Sequence, residues 1–231
     1  MSEYLAKTHT NRKYKRGQHM KVHETHLQNV APLKDISQIE RLMAELKNNS
    51  GKYGLRNETI AIMGICTGMR ISDLLSLRVH DIIDGNGNIV EEFRHIDIKT
   101  SHTRHNNKAH TIFIIPECQQ ALAYYLKNRH SRSVWLFSTS STSNHKHAPL
   151  STNRYYHIIV NAGMRVGIKT IGTHTLRKTF GYWFYKSTGD IIYLQQLFNH
   201  SDIAITRRYI GLEEEKMKRL MFDQFSAQNK S

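Results

Sequence analysis

Two cysteines in 231 residues, Cys66 and Cys118, are too few for a disulfide framework. Both lie in or beside apolar segments and form no metal-type spacing, which fits a reduced, cytoplasmic setting. No apolar run approaches the roughly 18 residues that cross a bilayer, so a membrane-spanning class is excluded. The start, MSEYLAKTHTNRKYKRGQH, has positive charges but no apolar stretch behind them, and so is not a secretory signal. Acid is scarce: 19 Asp+Glu face 33 Lys+Arg, for a net charge of +14. An excess of that size implies a polyanionic partner, and nucleic acid is the usual one. The 15 histidines are mostly scattered. His102, His105, His110, His145 and His147 fall in polar loops without a second ligand at helical or knuckle spacing, so neither a structural metal nor a cofactor is expected. No internal repeat is visible.

What is present reads as a mainly α chain. Residues 1–31 carry Lys7, Arg12, Lys13, Lys15, Arg16 and Lys21 with almost no apolar periodicity, the pattern of a flexible basic arm. Asp35 caps a helical pattern with Ile36, Ile39, Leu42, Met43 and Leu46 on one face. After the polar break NNSGKYG a second helix is expected over 59–66, interrupted by Gly68. A third begins near Met69 with Ile71, Leu74, Leu75 and Leu77. DGNGN at 84–88 is turn chemistry, and the period then changes from helix to strand. IVEEF, RHIDIK and HTIFII predict a small three-stranded antiparallel sheet. Helix returns over 117–129, and VWLF at 134–137 is a brief apolar stretch. Helices are then expected over 152–162, 175–187, 190–198 and 202–210, followed by an amphipathic tail over 213–225. The domain reading is a basic arm to residue 31, a body over 32–211 and a tail over 212–231.

One short stretch, GTHTLRKTFGYWFYKSTGDIIYLQQLFNHSDIAITRRYIG at 172–211, concentrates reactive side chains. His174 and Arg177 are three apart at a helix start, on one face, with Thr173 as a plausible N-cap. Such a pair beside free backbone N–H groups suits an anion such as a phosphate. Arg70 and Asp73 repeat the spacing in TGMRISDLL, with Asp73 placed to orient a neighbour. His200 precedes the capping pair Ser201-Asp202, and Tyr209 lies near a helix end that Gly211 would terminate. Taken singly, each has an ordinary structural explanation. Together they supply what metal-free cleavage of a DNA phosphodiester needs. A tyrosine can be the nucleophile, arginines can clamp the phosphoryl oxygens, histidines can move protons and a lysine can protonate the leaving oxygen.

The series TGMRISDLLSLRVHDI, IDIKT, HTLR, LFNHS and RRYIG resembles the tyrosine recombinases, or phage integrase family, over about residues 33–220. The resemblance implies six catalytic positions: Arg70, Lys99, His174, Arg177, His200 and the nucleophile Tyr209. It makes Asp73 the carboxylate that supports Arg70. It also implies double-stranded DNA as partner, a homo-tetramer on two DNA sites and room for accessory DNA-bending proteins, with the tail packed on a neighbouring protomer. Met217, Leu220, Met221 and Phe225 fit that, though covering the chain's own core is the simpler reading. Only the basic arm precedes the body, which is similar to the small, single-domain fimbrial phase-switch recombinases. The loop after Lys99 is long, and Lys108 competes with Lys99 for the leaving-group acid. The implied activity is cutting and rejoining of DNA through a 3′-phosphotyrosine, for integration, excision or inversion. Two rival readings are a type IB topoisomerase and a DNA-binding regulator that has lost catalysis.

Overall fold

The computed structural model describes residues 30–98, 109–129, 132–139 and 148–228. The six basic residues of the arm, Lys99 and Lys108 all lie outside these.

Asp35 begins the first helix, its carboxylate accepting the Ser37 N–H at 2.8 Å. Helix α1 (Ile36–Asn48) buries Leu42 and Leu46. A 3-10 turn at Gly51–Tyr53 leads into α2 (Gly54–Thr67), which starts earlier than the apolar period suggests. The early turns are polar yet buried: Arg56 donates to the Ser138 carbonyl at 2.8 Å and to Asn57, so its burial is hydrogen-bonded. Helix α2 is the central element, packed by α1 on one side and by later helices on others. Gly68 ends it in the left-handed region (φ 66°), and α3 (Ile71–Leu75) follows at once.

The sheet has two strands among the described residues, not three. β1 (Glu92–His95) pairs antiparallel with β2 (His110–Phe113) in the register Glu92↔Phe113 to His95↔His110. IVEEF and RHIDIK contribute to a single strand because their outer parts are drawn elsewhere. Ile89 bridges back to Ile83 across the DGNGN turn, and Ile98 is bonded to α3. Helix α4 (Pro116–Asn128) comes next. The VWLF stretch is no strand; Leu136 donates to the Leu77 carbonyl at 2.9 Å and fills the core with Phe137.

The remainder is helical: α5 (Thr152–Arg165), α6 (Thr173–Thr188), α7 (Ile191–Phe198), α8 (Ile203–Tyr209) and α9 (Leu212–Gln228). Two apolar clusters result. The larger joins α1 to α6 around Ile60, Met63, Leu74, Leu122, Phe137, Tyr155 and Leu176. The smaller gathers Tyr182, Leu194, Phe198 and Ile210. Helix α6 belongs to both, with Leu176 in one and Tyr182 in the other. The buried Arg177 and Thr179 lie between them, and the candidate site forms along this seam.

The segment before α1 is stitched along α6. Leu33 N–H donates to Thr179 Oγ1 (2.9 Å), Trp183 Nε1 to the Leu33 carbonyl (3.0 Å) and Lys178 Nζ to the Val30 carbonyl (2.6 Å). Lys34 Nζ reaches the Gly211 carbonyl at 2.7 Å, just past the end of α8. In α9 Met217, Leu220 and Met221 are 52–61% exposed and Phe222, on another side of the helix, is 63% exposed. The described part of the tail therefore does not cover the chain's own core as the simpler reading expects; the Phe225 side chain lies outside the described residues. No described helix is long and apolar enough to cross a membrane.

Candidate active site

Gly68 sets the first arginine. A left-handed residue turns the chain sharply at the end of α2, and Arg70 becomes the N-cap of α3. A side chain at Gly68 would collide with Phe180 of α6, so the two helices approach here as only glycine allows. The Gly68 carbonyl then accepts Arg177 Nη1 at 2.6 Å. The two arginines, more than 100 residues apart in sequence, are therefore organised around one turn.

Arg177 is buried over the Phe198 ring, its guanidinium carbon 4.3 Å from the centroid. Burial, with Arg70 nearby, lowers its pKa to about 10. Its Nη2 is buried and makes no well-aligned hydrogen bond, although the guanidinium stands close enough to the Tyr209 hydroxyl to help lower its pKa. Thr173 is not the cap of α6. Gly172 holds that position and its N–H donates to Thr175 Oγ1 at 3.0 Å, while Thr173 is itself the first helical residue. The one-residue shift leaves His174 exposed and Arg177 buried on the same side of the helix.

The Tyr209 hydroxyl lies 3.2 Å from His174 Nδ1, with the two rings edge to face. His200 also packs against the tyrosine, ring centroids 5.1 Å apart. His200 is fixed by its neighbours: Asn199 turns the chain in the left-handed region, the Gln195 carbonyl accepts the His200 N–H, and Nδ1 lies 3.0 Å from Thr206 Oγ1. Burial raises the Tyr209 pKa, while Arg177 and Arg70 act to lower it. Burial depresses the His200 pKa, and the same arginines add to the effect, so the ring is neutral near pH 7. Asp202 caps α8 by accepting the Ala204 N–H, and Gly211 (φ 75°) follows its end, as the sequence suggests. Five of the six expected positions are thus brought together: Arg70, His174, Arg177, His200 and Tyr209. Lys99, like its rival Lys108, is outside the described residues; Ile98, just before Lys99, is held by Asp73.

Asp73 does not hold Arg70 directly. Its Oδ1 accepts the Ile98 N–H at 2.8 Å and faces His95 Nε2 at 3.7 Å. Burial works against its charge, but the His95 and Ile98 contacts prevail and its pKa is lowered. The carboxylate bonded to Arg70 Nη1 is Asp97. Helix spacing singles out Asp73, three residues from Arg70, whereas Asp97 arrives from the end of β1. Histidines also gather where loop spacing does not suggest it. His110 belongs to β2, opposite His95, with Nε2 3.7 Å from Asp97 Oδ1. Ligand atoms of Asp73, His95 and Asp97 lie within 4.8 Å of one another. Arg70 already takes one of those carboxylates, and Arg177 adds positive charge nearby, so the group is organised as a hydrogen-bonded support for the arginines. Lys178 is a further residue that motif reading passes over: its Nζ lies 5.1 Å from the Tyr209 ring centroid, and burial lowers its pKa. Its adjacency to Arg177 was the available signal.

Residues 35–216 match the model of the phage integrase family. The chain is 35% identical over 186 residues to "Probable integrase/recombinase YoeC" of Bacillus subtilis, covering 80% of this chain and 92% of that protein. It is 26% identical over 208 residues to "Tyrosine recombinase XerD" of Staphylococcus haemolyticus, covering 88% of this chain but 64% of the relative. Its fold matches the XerH site-specific recombinase in a post-cleavage complex with a palindromic difH substrate (TM-score 0.59, 18% identity), over 84% of this chain and 53% of that one. The XerA recombinase matches similarly (TM-score 0.58, 21% identity, 91% of this chain and 66% of that one). With a family model over most of its length and a relative 35% identical across most of both chains, the chain belongs to the phage integrase family of tyrosine recombinases.

Proposed function

We propose that this chain cuts one DNA strand by attack of the Tyr209 hydroxyl on a phosphodiester and rejoins it to a partner strand. The Tyr209 Oη–phosphorus bond forms, the bond to the 5′-oxygen breaks, and a 3′-phosphotyrosine and a 5′-hydroxyl result. His174 Nδ1 takes the phenol proton. Arg70 and Arg177 bind the non-bridging oxygens, where charge grows in the transition state. His200 orients an oxygen, and Lys99 gives the 5′-oxygen its proton. The ester retains the bond energy, so a 5′-hydroxyl from another strand reverses the step, which is recombination.

The observation that carries this reading is Arg177 Nη2, a buried cationic donor with no well-aligned hydrogen bond, on a guanidinium that stands close to the Tyr209 hydroxyl. An unsatisfied buried donor costs about 1–3 kcal/mol, more when charged. A phosphate oxygen bound there removes that penalty. Tyr209→Phe should bind a nicked suicide duplex normally and form no covalent adduct on a denaturing gel. An adduct that persists in the variant would remove Tyr209 from the mechanism. Relaxation of plasmids lacking any target site would instead favour the topoisomerase reading.

The partner of the exposed α9 face is a second copy of this chain, in a tetramer on two DNA sites. The acidic first turn of α9 is tied to its own body through Lys34–Glu215 (3.1 Å), Lys186–Glu215 (3.4 Å) and Arg207–Glu213 (3.0 Å). Beyond these anchors Met217, Leu220 and Met221 are exposed. Accessory DNA-bending proteins and a cytoplasmic setting complete the proposal.

A further inference from the structure

The two catalytic-type arginines repel one another across the seam. Arg177 is fixed from behind by the Gly68 carbonyl. Arg70 is held differently: its guanidinium is bonded to the Asp97 carboxylate, at the point where the chain leaves β1. Asp97 is itself placed from several directions. Asp73 pins Ile98, the next residue, by its N–H at 2.8 Å. His110 on β2 lies 3.7 Å from the second Asp97 oxygen, and the His95 ring packs edge to face against His110 at 6.1 Å. Among the described residues, the groups facing this carboxylate include Arg70 and Asp73 from α3 and its cap, His95 and His110 from the hairpin, and Arg177 from α6.

We propose that Asp97 is a positioning residue for strand cleavage: with His110 behind it, its carboxylate holds the Arg70 guanidinium so that Arg70 and Arg177 converge on one phosphate. The inference rests on the recombinase reading above. Asp97 touches neither the phosphorus nor the tyrosine in this scheme and acts only through Arg70. Removing its charge while keeping its shape leaves Arg70 in place chemically but free to swing away from Arg177. Phosphate affinity, spread over many contacts along the DNA, is then little changed. The transition state, which needs both forks aligned, loses more.

The test is single-turnover cleavage of a nicked suicide duplex at saturating protein, with affinity measured separately and folding checked by thermal melting. Adduct formation by the wild type establishes the chemistry first; its absence would defeat the recombinase reading rather than this inference. Given that adduct, Asp97→Asn should slow the saturated rate on the order of 10–100-fold while Kd changes less than about threefold. In an Arg70→Lys background the same change should cost less than about threefold, because the effect passes through Arg70. If the Asn variant fails to fold, Asp97→Ser carries the same expectations in both backgrounds. An unchanged or faster rate, a loss confined to affinity, or an equal loss in the Arg70→Lys background would overturn the assignment.

Discussion

A Cβ added at Gly68 would sit 2.4 Å from Phe180 Cδ1 on a backbone whose φ is 66°. Gly68→Ala should therefore destabilise the protein by about 1–3 kcal/mol, from backbone strain together with overpacking. Because the same residue's carbonyl holds Arg177, adduct formation should fall even where the variant remains folded. A melting midpoint and adduct yield both equal to the wild type's would mean that Phe180 yields and the turn is less constrained than its geometry implies. At this scale the site was legible wherever chemistry follows a fixed spacing along one helix or across one short turn. Arg70, His174, Arg177, His200 and Tyr209 are of that kind. Asp97 and His110 are not. Asp97 meets Arg70, and His110 meets Asp97, only through strand pairing and a chain reversal, which no local spacing encodes, and Asp73 looked like the partner because it is near in sequence.

Among the elements, helices with one apolar face were the easiest to read, since a 3.6-residue period identifies both the element and its buried side. Helix α2 is buried on several sides, so its first turns carry Arg56 and Asn57 in hydrogen-bonded burial and look like a loop. The hairpin was harder still, because Ile89 and Ile98 have strand-like composition but are used by a bridge and by α3. Helix α9 shows the converse: it was expected as an amphipathic helix, yet its apolar residues are spread around the axis and exposed. Phe222 is 63% exposed, with Met217 and Met221 beside it. Phe222→Asp should leave the monomer's melting temperature within about 2 °C of the wild type, because its own core is untouched. The same variant should reduce tetramer on paired DNA sites in analytical ultracentrifugation. A variant that melts much earlier, or assembles unchanged, would place the face on another occupant.

Over the whole molecule, the charge sets an expectation for how DNA would first be met. The net charge is +14, and six Lys/Arg residues precede position 31. Deleting residues 1–29 should weaken binding with little dependence on sequence. It should also flatten the slope of log K against log salt, by up to about 0.9 for each phosphate that the shortened chain leaves unneutralised. An unchanged slope in a salt titration would mean that these residues do not touch the duplex. Where they join the body has a consequence of its own. Val30, Leu33 and Lys34 are tied to Lys178, to Thr179 and Trp183, and to the carbonyl of Gly211. Lys178 lies over the Tyr209 ring, and Gly211 is two residues beyond that tyrosine. The segment over 30–34 is thus fastened on both sides of Tyr209, to α6 and to the end of α8. In the proposed reaction, a duplex that held the leading residues would therefore also restrain the phenol, so the attachment of the one and the aim of the other would behave as a single lever.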